Sequence, residues 1–310
     1  MHVLVTGGCG YIGSELVPLL LEKGYDVTIL DNFSMSSPSI LFNLRKDVNF
    51  IFGDIRNEED VKSALKGCDA VVHLAALTGA DESFKAKERT FDINLRGTEN
   101  LLKLAADEEV ERFVFSSSCN IYGRQEGVIS EESKPNPLNP YAESKRLAEE
   151  ACLKYQRERG LSTSILRLST LYGYAPGVRF NLVINMFALY ALTNHPLTIY
   201  GDGTNWRPYI HVKDAAKAFL FALERRDFEK EVFNVGSNRE NYRIKDIVAL
   251  FKEAFKKNLG VVYLRDKDSG PSYRVDFSKI ERAGFSCERS VKDGIKELIE
   301  KFIRIKVKRK

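Results

Sequence analysis

Paired cysteines are missing from this sequence. Its five cysteines are odd in number and widely scattered, and no CxxC pair occurs among them. This pattern predicts neither a disulfide framework nor a zinc site, and it fits a reducing compartment. We therefore expect free thiols, a cytoplasmic location and no bound metal.

Long apolar runs are missing as well. A membrane-spanning helix needs about 20 consecutive apolar residues, and no run in this chain reaches that length. The amino-terminal HVLVT is typical of a strand and not of the basic and apolar regions of a signal peptide. The sequence thus predicts a soluble protein with no membrane partner.

Neither sign of charge is in large excess. The chain has 47 Lys and Arg against 43 Asp and Glu, which gives a formal net charge of +4. Proteins that bind nucleic acids concentrate basic residues on one surface, so we expect no nucleic-acid partner. The final KFIRIKVKRK is the one concentrated basic segment, and we interpret it as a solvated tail.

Short apolar runs alternate with amphipathic stretches through the first half of the chain. VLVTG, DVTILD, AVVHLAA and RFVFSSS are typical of strands, and helical patterns such as SELVPLLLEKG lie between them. Runs that are apolar throughout indicate strands with helices on both sides of the sheet. The sequence therefore predicts an α/β protein with a Rossmann-type, doubly wound parallel sheet.

A glycine-rich turn joins the first predicted strand to the first predicted helix. In TGGCGYIG, Gly7, Gly10 and Gly13 are spaced three residues apart. Such a turn lets the backbone approach a pyrophosphate, whose charge the helix start stabilises. Asp31 ends the second predicted strand, where a carboxylate bonds the adenosine ribose and repels a 2′-phosphate. Together these features predict a site for NAD in preference to NADP.

Two further segments fit the same site. GDI places Asp54 after the third predicted strand, where its carboxylate would meet the adenine amine and Ile55 would contact the ring. HLAA ends the fourth predicted strand with Leu74, Ala75 and Ala76, beside which the cofactor backbone could pass closely. Each segment alone would be read as an ordinary turn, and the combination favours a cofactor site.

A helix suited to proton transfer begins in NPYAESKRLAEE. Asn139 is a suitable cap and Pro140 a suitable first-turn residue. Tyr141 and Lys145 then lie one turn apart on one helix face. An ammonium close to a phenol lowers a pKa that starts near about 10, so the tyrosine could act as a base. The ordinary alternative is a partly buried tyrosine beside a snorkelling lysine.

The strand before that helix supplies a hydroxyl. RFVFSSS ends in Ser116, Ser117 and Ser118. Open α/β sheets bind ligands at the carboxyl ends of their strands. A serine at this position can therefore hydrogen-bond a reacting oxygen.

In order and spacing, these segments resemble those of the extended short-chain dehydrogenase/reductases, specifically the nucleotide-sugar epimerase/dehydratase branch. The matching segments are TGGCGYIG, Asp31, GDI, HLAA, INLRGT, SSSCNIYG and YAESK, followed by RLSTLYG, FNLVINMF and YGDGTNWRPYIHVKDAAKA. The resemblance implies an NAD-binding domain over 1–170, to which 207–237 returns, and a smaller C-terminal substrate-binding α/β lid over 171–206 and 238–310. It also implies NAD as cofactor, a nucleotide-sugar substrate and a homodimer through the helices after INLRGT and NPYAESK.

The resemblance also implies roles for individual side chains. Ser118 matches the catalytic hydroxyl, Tyr141 the base and Lys145 the ligand of the nicotinamide ribose. Asn94 matches an asparagine that supports the active-site helix through its backbone. The cofactor residues so implied are Gly7, Gly10, Tyr11, Ile12, Gly13, Asp31, Asn32, Ser34, Asp54, Ile55, Leu74, Ala75, Ala76, Asn94, Tyr141 and Lys145. The substrate residues so implied are Ser118, Asn120, Tyr141, Asn181, Leu182, Arg207 and Arg274.

Departures from the family pattern bear on the reaction. Family dehydratases carry an Asp-Glu pair directly after the catalytic hydroxyl, and Cys119 and Asn120 stand there instead. Without that acid the resemblance implies reversible oxidation, and hence 4-epimerisation of a nucleotide sugar. UDP-glucose and UDP-galactose, or their N-acetyl forms, are the leading substrates. Pro271 stands where a basic residue often assists phosphate binding, and we expect Arg274 to compensate.

Two alternatives stay open. The first is an NAD(P)-dependent nucleotide-sugar reductase or dehydratase, because Cys119 beside the serines is similar to the serine and cysteine of family epimerase-reductases. Asp31 disfavours the NADPH that net reductions usually use. The second is a non-catalytic sensor of NAD or a nucleotide sugar, against which the intact Ser118, Tyr141 and Lys145 argue.

Three residues of GTNWRPYIHV need separate interpretation. Arg207 suits a diphosphate because its guanidinium is forked. We interpret His211 as structural. Trp206, the only tryptophan, would either stack on a base or pack the lid.

Overall fold

The elements alternate as the sequence predicts. The computed structural model describes residues 1–44, 48–256, 258–265 and 270–307. Its strands are β1 (His2–Thr6), β2 (Asp26–Asp31), β3 (Val48–Phe52), β4 (Ala70–His73), β5 (Arg112–Ser118), β6 (Arg124–Ile129), β7 (Ser162–Leu168), β8 (Thr170–Tyr172), β9 (Leu197–Tyr200), β10 (Trp206–His211), β11 (Val232–Val235), β12 (Asn241–Arg243), β13 (Val261–Leu264) and β14 (Ser272–Val275). Its helices are α1 (Gly13–Glu22), α2 (Glu58–Leu65), α3 (Ala80–Lys85), α4 (Lys87–Phe91), α5 (Gly97–Asp107), α6 (Pro140–Arg159), α7 (Val183–Leu192), α8 (Val212–Glu224), α9 (Ile244–Phe255), α10 (Ser278–Arg282) and α11 (Val291–Val307).

The large sheet is parallel and has the order β11-β7-β5-β4-β1-β2-β3. Helices α1 and α8 cover one face, and α2, α5 and α6 cover the other. The direction of winding reverses between β1 and β4, which leaves a crevice at the carboxyl ends of those strands. This arrangement confirms the predicted α/β fold with a doubly wound parallel sheet.

Strand β1 illustrates why the sheet strands carry apolar residues at successive positions. Val3 and Val5 belong to an apolar cluster that includes Leu16 of α1, whereas Leu4 belongs to another that includes Leu101 of α5. The side chains of these five residues from β1, α1 and α5 are all fully buried. Successive side chains of a strand point to opposite faces, so a sheet covered on both faces needs apolar residues throughout.

The elements of the predicted lid are smaller. Strands β8, β10 and β12 form one sheet, β9 pairs with β13, and β6 pairs with β14. Helices α7, α9 and α11 pack together around Phe187 and Phe251. The segment 207–237, predicted to return to the larger domain, is divided. Its α8 and β11 join that domain, whereas β10 lies in the three-stranded sheet.

Polar contacts attach helix α11 to the larger domain. Glu297 accepts a hydrogen bond of 2.8 Å from Lys213 Nζ, and its other oxygen lies 2.7 Å from His211 Nε2. Burial would raise the pKa of Glu297, but the hydrogen bonds from His211 and Lys213 outweigh it and hold this pKa at about 2. His211 is fully buried and its Nδ1 caps α8, which confirms its structural interpretation.

The basic end of the chain is more ordered than a solvated tail. Helix α11 continues to Val307, and Phe302 is buried in the apolar cluster of the lid. The last three residues of the basic segment, 308–310, lie outside the described residues. Within the described ranges, no helix has the length and apolar character needed to cross a membrane.

Glu240 gives α11 a pH-dependent attachment. Its buried carboxylate accepts a hydrogen bond of 2.8 Å from the Val291 N–H at the start of α11. Burial, with the nearby Asp293 and Asp214, raises the pKa of Glu240 from 4.5 to about 7 against the effect of that hydrogen bond. The fold therefore favours the neutral form of the Glu240 carboxyl. The resulting contribution to stability is complete below pH 4.5 and is lost as the pH rises through about 7.

We therefore expect Glu240→Gln, which keeps an acceptor for Val291 but cannot ionise, to stabilise the protein relative to wild type more at pH 8 than at pH 5. The difference should be roughly 1–2 kcal/mol. Thermal unfolding of both proteins at the two pH values measures it. Equal differences at both values would show that Glu240 does not titrate in this range.

Candidate active site

A continuous cavity of about 700 Å³ opens at the carboxyl edge of the large sheet. Two predicted residues, Asn94 and Arg274, are not among those that line it, and the lining residues that were not predicted include Arg179 and Tyr200. The predicted residues that it brings together are Gly7, Gly10, Tyr11, Ile12, Gly13, Asp31, Asn32, Ser34, Asp54, Ile55, Leu74, Ala75, Ala76, Ser118, Asn120, Tyr141, Lys145, Asn181, Leu182 and Arg207.

The glycine-rich loop has no room for a side chain at two positions. Gly7 has φ of +69°, and a Cβ there would lie 2.7 Å from the backbone nitrogen of Ala75. A Cβ on Gly13 would lie 2.4 Å from the carbonyl oxygen of Gly8. The loop is therefore packed tightly against itself and against the end of β4, directly before α1. This arrangement fits the pyrophosphate of NAD, because bare backbone can approach the phosphates at a helix start.

Asp31 is a fixed negative charge at the end of β2. Its Oδ1 accepts from the Phe33 N–H at 2.8 Å and from Ser36 Oγ at 3.0 Å, and its Oδ2 accepts from the Cys9 N–H at 3.0 Å. A carboxylate can accept about four hydrogen bonds, so one position on Oδ2 can take a ribose hydroxyl. The oriented charge would repel the 2′-phosphate of NADP.

Asp54 lies in the cavity wall, but protein donors already surround it. Arg56 donates to it from its backbone N–H, Nε and Nη2, and Asn32 donates from Nδ2 at 2.9 Å. The hydrogen bond from Arg56 holds the pKa of Asp54 below its usual value. These four bonds use the acceptor capacity of the carboxylate, so the hydrogen bond predicted from adenine would have to replace one of them.

Asn94 lies one layer behind the cavity, in a π-helical turn over Asp92–Arg96. Its side chain accepts from the Leu77 N–H at 2.7 Å and donates to Leu77 O at 2.9 Å and Ser144 Oγ at 3.0 Å. It thus joins a segment of the cavity wall to α6, between Tyr141 and the next turn. The support that the sequence predicts from the backbone of Asn94 comes here from its side chain.

The three predicted catalytic side chains converge where β5 ends beside α6. Asn139 accepts from the Ala142 N–H at 2.9 Å and caps α6 as predicted. The Ser118 hydroxyl acts on the phenol of Tyr141 and opposes the rise of its pKa. The Nζ of Lys145, which is 2% exposed, donates to the carbonyl oxygen of Ser116 at 2.8 Å. Phenol, hydroxyl and ammonium are thus fixed together at the cavity floor.

The surroundings of Lys145 adjust its charge. Burial lowers the pKa of Lys145 from 10.5 to about 8, while the nearby Cys152 and Glu149 act to raise it. Because Glu149 lies one turn further along α6, it provides the negative charge that favours the ammonium form. The lysine therefore remains a cation close to neutral pH.

Tyr141 is influenced by an arginine that the sequence analysis missed. Burial raises the pKa of Tyr141, and the hydrogen bond with Ser118 and the charge of Arg179 oppose that rise. Lys145, predicted to lower this pKa, instead donates to a backbone carbonyl. Arg179 lies between β8 and α7 in a segment without helical or strand periodicity. Its only sequence signal is an isolated cation in the Pro- and Gly-rich YGYAPGVRF.

The substrate half of the cavity contains one predicted arginine. The Arg207 guanidinium lies over the ring of Tyr273, 5.7 Å from its centroid. The Tyr273 hydroxyl donates to Asn120 Oδ1 at 3.2 Å. This hydrogen bond fixes the Asn120 amide at the position where a dehydratase would place an acid. Arg207 contacts the same tyrosine from the cavity lining.

Arg274 lies on the other face of the small sheets. Its guanidinium stacks on the ring of Trp206 at 5.3 Å, and Arg243 stacks on the same ring at 4.8 Å. Trp206 and Arg274 are each next in sequence to a lining residue, Arg207 and Tyr273, and strand neighbours point to opposite faces. The structure therefore does not bring Arg274 to the cavity, and it places Trp206 in the packing of the lid.

Cys119 does not face the cavity. It is fully buried, and its Sγ donates to the carbonyl oxygen of Arg167 at 3.2 Å. Burial raises the pKa of this thiol far above its usual value. An inert thiol directed into the core removes the observation on which the reductase alternative depended.

Comparisons with known proteins agree with this geometry. Residues 3–236 match the model of the NAD dependent epimerase/dehydratase family. A UDP-glucose 4-epimerase of Halalkalibacterium halodurans is 33% identical over 272 residues, which are 82% of this chain and 80% of that protein. The crystal structure of the Thermus thermophilus UDP-glucose 4-epimerase with NAD matches with a TM-score of 0.87 and 30% identity, over 98% of this chain and 99% of that one.

A second solved structure extends the comparison. It is the Bacillus cereus UDP-glucuronic acid 4-epimerase in complex with UDP-glucuronic acid and NAD, with a TM-score of 0.90 and 30% identity. The match covers 98% of this chain and all of that one. This chain belongs to the NAD-dependent epimerase/dehydratase family.

Proposed function

We propose that this protein is an NAD-dependent nucleotide-sugar 4-epimerase that interconverts UDP-glucose and UDP-galactose or their N-acetyl forms. One observation carries the proposal. Ser118, Tyr141 and buried Lys145 line the cavity together, while the positions after Ser118 hold a core thiol and an amide. The group can move a proton on and off a sugar hydroxyl, and neither neighbour can protonate a departing hydroxyl.

The side chains divide the chemistry between them. When bound, NAD would accept a hydride from carbon 4 of the sugar and return it to the opposite face. Tyr141 takes the proton of the 4-hydroxyl and later returns it, and Ser118 hydrogen-bonds the same oxygen. Arg179 supplies a positive charge that favours the phenolate of Tyr141, and Lys145 would bind the nicotinamide ribose.

The remaining residues serve binding and enclosure. Arg207 supplies a guanidinium for the diphosphate. The lid must keep the 4-keto sugar in the cavity while it turns, and must exclude water during that time. Because the hydride returns to the same sugar, the protein should work without added oxidant or reductant.

The test is to incubate purified protein with UDP-, GDP- and dTDP-sugars without adding cofactor, and to analyse the products by mass spectrometry and proton NMR. An isomer of unchanged mass, inverted at carbon 4, is the expected result. Loss of water would contradict the interpretation of Cys119 and Asn120. Activity that depends on added NADPH would favour a reductase, and binding without turnover would favour the sensor.

A uronic acid is the second candidate for the sugar. The Arg179 guanidinium acts on Tyr141 from the cavity wall, so a 6-carboxylate on the sugar would find a cation close to the reacting hydroxyl. The solved relative from Bacillus cereus is named as a UDP-glucuronic acid 4-epimerase. These two facts favour UDP-glucuronate over other charged sugars.

Replacing Arg179 distinguishes the two candidates. If the substrate is a uronic acid, Arg179→Met should lower kcat/KM for UDP-glucuronate about 10- to 100-fold more than for UDP-glucose, which lacks the carboxylate. The ratio matters because the charge of Arg179 also acts on Tyr141 and so affects both substrates. Arg274→Met is the matched control, since that guanidinium lies outside the cavity. An unchanged ratio would rule out a carboxylate contact.

A homodimer and a cytoplasmic location stay predictions. Helices α5 and α6 pack against each other, and their exposed positions include the charged Glu99, Lys103, Glu150 and Lys154. Any interface through these helices would therefore depend on ion pairs. Sedimentation equilibrium at low and high salt would measure both the assembly and that dependence.

A further inference from the structure

The buried side chain of Asn185 connects the two halves of the cavity. It lies in the first turn of α7 and is fully buried. Its Oδ1 accepts from the Gly173 N–H at 3.0 Å. Its Nδ2 donates to the Tyr11 hydroxyl at 3.1 Å and to the carbonyl oxygen of Arg179 at 3.0 Å. One amide thus contacts the glycine-rich loop, the end of β8 and the segment that carries Arg179.

The contacts with Tyr11 close a ring of hydrogen bonds. The Tyr11 hydroxyl donates to Gly173 O at 2.5 Å, the Gly173 N–H donates to Asn185, and Asn185 donates back to the Tyr11 hydroxyl. Every group in the ring both gives and receives a hydrogen bond. Such an arrangement has one geometry, because a shift of any member breaks two bonds.

The same segment packs on the glycine-rich loop at a second point. A Cβ on Gly177 would lie 3.1 Å from the carbonyl carbon of Gly10 and 3.2 Å from the Cα of Tyr11. The backbone around Gly177 therefore touches the loop that would hold the pyrophosphate. A displacement of that loop would be transmitted to the segment, and the amide ring fixes their relation.

Both ends of the connection line the cavity. Gly10 and Tyr11 lie in the cofactor half, whereas Arg179, Asn181 and Leu182 lie in the substrate half. Asn185 itself is not among the lining residues. It can therefore act on ligands only through the residues that it holds.

We propose that Asn185 is a positioning residue that couples occupancy of the NAD site to the geometry of the nucleotide-sugar site. The proposal rests on the proposed function for the identity of the two ligands. Pyrophosphate bound against Gly10 and Tyr11 fixes the ring, and the ring fixes the wall from Arg179 to Leu182. By reciprocity, a nucleotide bound against that wall tightens the binding of NAD by the same factor.

The test measures NAD binding and needs no turnover. Equilibrium dialysis of the holoenzyme, with and without saturating UDP, gives two dissociation constants for NAD, whose ratio is the coupling. In the wild type UDP should tighten NAD binding at least about fivefold. In Asn185→Leu, which is similar in volume and has no polar atoms, the ratio should fall below about twofold. Phe187→Leu is the control on the same helix, and its ratio should equal that of the wild type.

A purely structural role predicts a different pattern. Asn185→Leu would then lower the melting temperature and weaken NAD binding equally with and without UDP, so an unchanged ratio would overturn the proposal. If Asn185→Leu does not fold, Tyr11→Phe opens the same ring and should lower the ratio. The dialysis is repeated with dTDP and with GDP in case the protein prefers another nucleotide. If none of the three nucleotides tightens NAD binding to the wild type, the proposal is also overturned. Coupling without epimerisation would count against the proposed function alone.

Discussion

Tyr141→Phe is expected to lose about 10²- to 10⁴-fold in kcat with a nucleotide-sugar substrate while it keeps its bound NAD. The substitution removes one oxygen from a ring that lines the cavity and leaves the packing of α6 unchanged. The pKa of that phenol responds to Ser118 and to Arg179. Proton transfer from the sugar hydroxyl then has no base, while the glycine cradle and Asp31 still hold the cofactor.

Two controls separate chemistry from structure in this experiment. Tyr155→Phe, on the same helix but packed in the apolar cluster beneath the sheet, should keep wild-type turnover. Ser118→Ala should retain more activity than Tyr141→Phe, because the phenol can still accept the proton. The NAD content of each purified protein, measured by absorbance after denaturation, shows whether the cofactor was kept. An active Tyr141→Phe protein would exclude this tyrosine as the base.

Local signals predicted residues that line one end of the cavity, where the sequence places the cofactor. The glycines of the first turn, the acid at the end of β2 and the small residues after β4 each follow a strand, and parallel strands end at one edge of a sheet. The start of α6 was predictable because Asn139 and Pro140 are adjacent cap residues. In each case the chemistry depends on a few neighbours in sequence.

Contacts between distant segments could not be predicted in the same way. Arg274 was assigned to the substrate, but the pairing of β14 with β6 turns its side chain toward Trp206. A one-residue change of register exchanges the faces of a strand, and no local pattern in β14 sets that register. Arg179 was missed because its segment has no periodicity, and Asn185 because a buried amide in an apolar helix gives no sign of what it bonds.

Arg167→Met is expected to be the most destabilising single substitution beneath the active site, at about 3–5 kcal/mol. Arg167 and Glu149 are 9% and 6% exposed and share two hydrogen bonds from Nε and one of 2.7 Å from Nη2. Removing the guanidinium leaves a buried carboxylate with the Ser117 hydroxyl as its remaining donor. The Tyr122 hydroxyl would also lose its donor from Arg167, although it would still donate to Asn234.

The double variant Glu149→Leu with Arg167→Met distinguishes an unpaired charge from lost packing. If the cost of Arg167→Met is mostly the uncompensated carboxylate, removing that carboxylate as well should restore most of the stability, because an apolar pair of similar volume needs no partner. Urea unfolding of the wild type, both single variants and the double variant completes the cycle. Additive losses would mean that the two side chains do not interact, contrary to the observed geometry.

The double variant should nevertheless turn over more slowly near pH 8, because Glu149 no longer favours the charged form of Lys145.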